Sequence, residues 1–422
     1  MLDQRWRSTV DAFADDVAVR DIASGRSWTF AGLAHEADSA PAMPHPRTGA
    51  VHPCGNGPGF ILDVLRAWRA GRITCPLEPG QSPPEGPSPP AEVAHLKLTS
   101  GTTGQPRGVA FTAAQMAADA DAIVRTMGLE RGCPNLGVLS LAHSYGYSSL
   151  VLPLLLHGIP LVLAASALPA AVVAAAATTG DTPLTLPAVP ALWRTWHDAV
   201  SIPANVHLAI SAGAPLPPAL ELAVFNRYGL KIHNFLGASE CGGIAFDRSA
   251  VPRSLPNLAG QPLAGVHVSI GPDGRLVVQG PAVGLGYWPG EDDALRPGRY
   301  RTGDLGEVLP DGSIVIHGRA VDVINVAGRK VSPEAVEAEL RSHPAVRECL
   351  VLGLPSDDAR CEEVAAVVAT ARAVAPEELR DHLHGRLHPW QVPRRWFLVD
   401  QLETNARGKL SRAAWREHLK PR

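Results

Sequence analysis

The ten residues Thr99-Ser100-Gly101-Thr102-Thr103-Gly104-Gln105-Pro106-Arg107-Gly108 bring together glycines, hydroxyls and one cation. Glycines let backbone amides approach an anion closely, hydroxyls add donors, and Arg107 adds a fixed positive charge. An apolar strand at His95 to Leu98 leads into this loop, and a helix over Thr112 to Met127 is expected to follow it. In that setting loop amides and a helix N-terminus can converge on phosphate. The loop is not a Walker A sequence, which requires G-x-x-x-x-G-K-[ST]. Further along, Ser239-Glu240 pairs a hydroxyl with a hard carboxylate oxygen, the ligand type that suits a divalent cation. Asp304, inside Tyr300-Arg301-Thr302-Gly303-Asp304-Leu305, is a carboxylate able to accept hydrogen bonds from hydroxyls. His143, in Ala142-His143-Ser144-Tyr145-Gly146, can stack on a bound acid or donate to it. Each segment alone also reads as a polar turn or, for His143, a core histidine. The last five residues also resemble a nucleophile elbow with Ala in place of the first Gly of G-x-S-x-G. That hydrolase reading accounts for none of the other segments.

These side chains need a scaffold, and its elements are legible in the periodicity. Helical spacing runs over Phe60 to Ala70, a short strand is expected at Ile73 to Leu77, and Gln81 to Pro90 (QSPPEGPSPP) reads as a surface linker. Apolar strands such as Gly137 to Leu141 and Leu208 to Ile210 alternate with helices such as Pro218 to Arg227, which argues for a parallel or mixed sheet covered by helices. From Gly260 to Ile316, short strands punctuated by PDG turns indicate a β-rich subdomain. After Gly318 a capped helix opens at Ser332-Pro333-Glu334. Strands at Arg347 to Leu352 and Val364 to Val368 and a helix at Pro376 to Leu387 complete a small α+β domain. The expected fold class is therefore α/β: a large N-terminal multi-subdomain α/β domain (1–319) with a β-rich subdomain, plus a small mobile C-terminal α+β domain (320–422).

Composition narrows the partners. With 45% hydrophobic and 19% charged residues, the 422-residue chain reads as globular, and two or three domains are expected. A formal net charge of -3 favours neither nucleic acid nor an anionic membrane as a partner. The apolar stretch Leu150 to Ala177 is broken by Pro153, Pro160 and Pro169, so no membrane span is expected. Six cysteines without C-x-x-C spacing argue for a reducing, cytoplasmic setting. Lysine occurs five times only, at Lys97, Lys231, Lys330, Lys409 and Lys420, which makes each one worth attention.

TSGTTGQPRG resembles the phosphate loop of the acyl-adenylate-forming superfamily: acyl-CoA and aryl-CoA synthetases, peptide-synthetase adenylation domains and luciferase. Gly237-Ala238-Ser239-Glu240 is similar to its G-x-T-E segment, YRTGDL at 300–305 to its Y-R-T-G-D-L, Gly318-Arg319 to its boundary G-R, and Gly408-Lys409-Leu410-Ser411-Arg412 to its C-terminal G-K-x-x-R. The resemblance covers nearly the whole chain. It implies ATP binding by Thr99, Ser100, Gly101, Thr102, Thr103, Gly104, Arg107, Gly237, Ala238 and Ser239, Mg²⁺ on Glu240, ribose on Asp304, and a ribose or phosphate contact from Arg319. It implies that Lys409 bridges the acid carboxylate and the α-phosphate. The chain departs from the family pattern at Arg107 (usually Lys), at Leu236 (usually an adenine-stacking Tyr) and at the hinge Val321 (usually Asp or Lys).

By the same resemblance, His143, Ser144, Gly213, Ala214, Leu236, Cys241, Gly242 and Gly243 line the acid pocket, with glycines letting backbone close on the substrate. Ser144 stands where amino-acid-activating relatives carry Asp, so the expected substrate is a small non-amino acid, aryl or short to medium acyl. Ala327 and Gly328 match a Gly-rich strand that passes a thiol, which implies CoA or the phosphopantetheine arm of an acyl or peptidyl carrier protein as acceptor. The expected activity is an AMP-forming acid–thiol ligase. An amide ligase passing the adenylate to an amine and a non-catalytic nucleotide-binding relative are the alternatives.

Overall fold

The computed structural model describes residues 1–39, 49–99, 107–356, 362–402 and 411–419. The chain divides into two compact units. The first holds residues 1–269, 277–302 and 308–315, and the second holds 270–276, 303–307 and 316–422.

The first unit is built on a sheet whose middle is parallel. Its strands run Ile232–Ala238, Val206–Ser211, Leu184–Ala188, Asn135–Gly137, Leu161–Leu163 and Val17–Asp21, each parallel to its neighbour. Antiparallel strands flank this core, Gly242–Phe246 at one side and Arg26–Thr29 at the other. Leu184–Ala188 is buried at every position, as expected for a strand covered on both faces. Trp193 and Trp196, on the helix Pro190–Asp198, pack edge to face at 5.3 Å in the apolar layer against this sheet, and each indole N–H donates to a backbone carbonyl.

A second sheet in this unit pairs Val93–Thr99, Arg107–Thr112 and Gly286–Trp288 antiparallel. The helix Ala113–Met127 follows directly. Thr112 caps it, its side chain accepting from the Gln115 N–H while Gln115 reciprocates, and Gly128 ends it at φ +63°. The expected strand at Ile73 to Leu77 is reduced to isolated bridges at Thr74 and Leu77, and the expected strand Gly137 to Leu141 lies earlier, at Asn135–Gly137.

The second unit carries a three-stranded sheet, Val346–Pro355 antiparallel to Glu362–Thr370, with Arg395–Val399 parallel beside it. Period-two alternation splits its side chains. Cys349, Val351, Val364, Ala366 and Val368 enter one core with Val336, Leu340 and Leu379, while Leu350, Leu352, Leu354, Val367 and Ala369 enter another with Trp415. Helices Pro333–Arg341 and Pro376–Leu383 therefore supply one layer and Arg412–His418 the other. The helix expected to reach Leu387 stops at Leu383, because His384 takes an extended conformation.

Candidate active site

Parallel strands deliver their C-terminal ends to one edge of the sheet, where the following loops gather. The loop after Asn135–Gly137 carries His143 and Ser144, the loop after Val206–Ser211 carries Gly213 and Ala214, and the end of Ile232–Ala238 carries Gly237, Ala238 and then Ser239-Glu240. The first and third meet: Ser144 Oγ lies 3.0 Å from Ser239 Oγ. This contact also removes the nucleophile-elbow reading, since the Ser144 hydroxyl partners another serine and its short helix does not follow directly on a strand. His143 caps that helix, Nδ1 accepting from the Tyr145 N–H at 3.3 Å. Gly213 sits at φ +83°, and Gly213 and Ala214 are exposed.

Ser239-Glu240-Cys241 is the turn of a hairpin. Ala238 pairs with Gly242, Gly237 with Gly243 and Leu236 with Ala245, so these three residues join two antiparallel strands. Gly242, the first residue after the turn, takes the left-handed conformation at φ +69°. Glu240 thus stands at a hairpin tip. Its backbone carbonyl accepts from the Gly284 N–H at 2.9 Å, and its Oε1 accepts from the Tyr287 hydroxyl at 2.9 Å. Burial, reinforced by the Glu240 charge, raises the Tyr287 pKa, so the phenol remains a donor.

Beneath this hairpin lies a cluster that the sequence reading did not assign. Lys97 and Asp119 are each 3% exposed, with Lys97 Nζ 3.4 Å from Asp119 Oδ2. Ser148 donates to the same oxygen at 2.6 Å, and Asp119 Oδ1 accepts the Gly243 N–H at 3.0 Å. A side chain at Gly242 would run into Asp119, and one at Gly243 would run into Leu263. The missing side chains of these two glycines therefore make room for internal packing. Cys241 is buried beside them, and burial pushes its thiol well above the ordinary cysteine range.

Ser100, Gly101, Thr102, Thr103 and Gly104 lie outside the described residues, but their flanks are placed. Thr99 and Arg107 face each other across the mouth of an antiparallel hairpin, and Thr99 Oγ1 donates to the Arg107 carbonyl at 3.1 Å. The loop leads first into an additional strand, Arg107–Thr112, and the helix expected over Thr112 to Met127 follows it at Ala113–Met127. The Arg107 guanidinium lies 4.3 Å from the Tyr287 ring centroid and 3.4 Å from Asp292 Oδ2. A chain of contacts thus runs from Arg107 through Tyr287 to Glu240.

In the second unit, Arg319 Nε lies 3.2 Å from Asp304 Oδ1. Burial raises the Asp304 pKa and the Arg319 charge opposes that rise without cancelling it. Val321 is 68% exposed. Val326 and Arg329 pair across a two-residue turn, Ala327-Gly328, whose residues have φ +51° and +83°. Positive φ at both centres is the type I′ geometry, so the expected Gly-rich strand is here the tip of a hairpin. Ala327 also lines a cavity of about 270 Å³ with Val326, Arg329 and Trp390. Lys409 lies outside the described residues, and among those described no cluster of three or more metal-ligating side chains occurs.

The AMP-binding enzyme family matches residues 60–288, more than half of the chain, and the C-terminal domain of AMP-binding enzymes matches residues 335–409. The chain belongs to the AMP-binding enzyme family. This is the acyl-adenylate-forming superfamily that the motifs resemble. A probable 2-succinylbenzoate–CoA ligase of Mycobacterium tuberculosis is 32% identical over 339 residues, covering 76% of this chain and 84% of that protein. Triostin synthetase I of Streptomyces triostinicus is 31% identical over 346 residues, 78% of this chain but only 65% of the larger protein. Among solved structures, ATP-bound MatB from Rhodopseudomonas palustris superposes with a TM-score of 0.85 at 19% identity, covering 99% of both chains, which shows a shared fold. No helix among the described residues is long and apolar enough to cross a membrane.

Proposed function

We propose that this AMP-binding enzyme activates a small non-amino carboxylic acid as its acyl-adenylate and transfers the acyl group to a thiol. The observation that carries the reading is the meeting of Ser144 and Ser239 at the C-terminal edge of the parallel sheet, with Glu240 on the adjoining hairpin tip. A carboxylate oxygen attacks the ATP α-phosphorus, the bond to the β-phosphate bridging oxygen breaks, and pyrophosphate leaves. Ser239 then hydrogen-bonds the α-phosphate, and Asp304 accepts from the ribose hydroxyls with Arg319 beside it. Lys409 neutralises charge shared between the acid and the α-phosphate.

Magnesium is commonly held by one or two carboxylates together with phosphate oxygens, so the single Glu240 carboxylate on an accessible tip is an adequate protein ligand. When bound there, the ion would offset charge on the phosphates. In the second step a thiol sulfur attacks the acyl carbonyl, and AMP leaves with the bonding electrons. The 2-succinylbenzoate–CoA ligase relative supports an aryl acid and CoA, and a carrier-protein phosphopantetheine offers the same thiol.

The test is pyrophosphate release from MgATP across a panel of aryl, short-chain, medium-chain and amino acids, with hydroxylamine trapping the adenylate. Release that depends on a non-amino acid is expected. Substitution Lys409→Ala should lower it about a hundredfold or more, with the ATP KM little changed. An unaltered rate in that variant sinks the role given to Lys409, and transfer to amines but not to CoA would replace the thiol ligase by an amide ligase.

A further inference from the structure

Arg412 is the last residue of the C-terminal G-K-x-x-R segment, and the proposed reaction leaves it without a task. Its side chain, 15% exposed, is held from four directions. Nη2 lies 2.6 Å from Glu337 Oε1, Nη1 lies 2.9 Å from Glu334 Oε1 and 3.2 Å from Asp322 Oδ2, and Nε donates to the Val351 carbonyl at 2.9 Å. These partners come from the stretch just past the expected hinge at Val321, from the capped helix Pro333–Arg341 and from the strand Val346–Pro355.

Two of the three carboxylates are themselves fixed. Glu337, 5% exposed, also accepts the Val351 N–H at 2.9 Å and a bond from Arg341 at 3.1 Å. Glu334 fills the space a side chain at Gly318 would need and lies 3.2 Å from Ser332 Oγ, which donates to the His317 carbonyl at 2.5 Å. A guanidinium suits this place because it offers donors in several fixed directions at once, which an ammonium does not. Burial alone would lower the Arg412 pKa, but Glu337, Glu334 and Asp322 outweigh it and raise the value, so the cation persists.

Two residues separate Lys409 from Arg412, a tether of three steps and at most about 11 Å. We propose that Arg412 is a positioning residue for Lys409: by fastening the chain just downstream of Lys409 to Asp322, Glu334 and Glu337, it fixes where that ammonium can reach and ties it to the hinge-side segment. The proposal rests on the role given to Lys409 in adenylation, and its test separates the two.

The experiment compares wild type, Arg412→Met, Arg412→Lys, Lys409→Ala and the double variant Lys409→Ala/Arg412→Met, using the acid that gives the fastest pyrophosphate release. Arg412→Met should lower the adenylation kcat at least tenfold with the ATP KM within twofold of wild type, and Arg412→Lys should recover part of that loss. In the double variant the two effects should fail to multiply, since both act through one ammonium. Multiplying effects, or a KM change that equals the kcat change, would overturn the proposal. A normal rate in Lys409→Ala alone would instead refute the role of Lys409.

A readout free of turnover accompanies this: the rate at which an amine-reactive acetylating reagent modifies Lys409, with Lys330 of the same unit as internal reference. Arg412→Met should change the Lys409 rate threefold or more while Lys330 keeps its own, and unchanged labelling at Lys409 would overturn the proposal even without an active acid. Should Arg412→Met fail to fold, Arg412→Lys and Asp322→Asn carry the same comparison with smaller losses.

Discussion

Asp119→Ala would leave the Lys97 ammonium, 3% exposed, without its counter-charge, and would orphan the Gly243 N–H at the same time. Removing one partner of a buried pair typically costs about 3–5 kcal/mol, because the other charge stays desolvated. Titration sets an upper bound: an ordinary lysine amine, titrating at about 10.4 in water, gives up its proton at pH 7 for about 4.6 kcal/mol. The orphaned amide adds about 1–3 kcal/mol if no water replaces the carboxylate. Ser148 can turn its hydroxyl toward the amine from 3.2 Å and recover part of this. A net loss of about 4 kcal/mol is expected, roughly 10 °C in the melting temperature of a unit this size. Calorimetric unfolding of wild type, Asp119→Ala and Lys97→Met/Asp119→Asn tests this. The double variant keeps an acceptor for the Gly243 N–H and has no buried charge, so it should regain most of the loss. An Asp119→Ala protein that melts within about 2 °C of wild type, or a double variant no better than the single, would refute the reasoning.

Two further predictions concern the hairpin tip and the ribose carboxylate. Gly242→Ala should cost about 3 kcal/mol in urea unfolding, since φ +69° is strained for alanine and its methyl would displace Asp119; Gly286→Ala, in open space, should be nearly neutral. Asp304 can accept from both ribose hydroxyls, and accepts most strongly, when ionised, and burial raises its pKa. Adenosine affinity, measured by calorimetry, should therefore be full above that raised value and fall as the pH drops through it, starting at a higher pH than an ordinary carboxylate would give; Asp304→Asn should flatten the profile.

Much of this architecture was legible because periodicity and caps encode it directly. The alternation of apolar strands and helices gave the parallel core, and Ser332-Pro333-Glu334 marked a helix that the structure starts at Pro333. The helix expected over Thr112 to Met127 is found at Ala113–Met127, but the strand before it was missed because glycine content signals a turn and carries no information about the type of the next element. Residues Arg107–Thr112 (RGVAFT) satisfy the strand pattern as they pair with both Val93–Thr99 and Gly286–Trp288, a non-local gain that local reading does not see. The Ala327-Gly328 turn was missed for a related reason: alanine is a poor marker of positive φ, and only the register across Val326 and Arg329 reveals the geometry.

The supports of the candidate site were hidden in a different way, and the pattern suggests how to find them. Asp119 lies on the helix Ala113–Met127 in phase with Met116, Ile123 and Met127, all buried. A carboxylate at an apolar phase demands a partner, and Lys97, one of five lysines in the chain, sits buried in a strand between Leu96 and Leu98. Glu337 repeats the logic, since it shares the buried phase of Val336 and Leu340 and finds Arg412 and Arg341. In the first unit Glu240 stands on a hairpin tip. Across that hairpin the buried pair Lys97 and Asp119 braces it through the Gly243 N–H, because a desolvated ion tolerates little displacement from its partner. Motif residues are visible by their company in the sequence, whereas the residues that hold them are visible only by being charged where the periodicity calls for an apolar side chain.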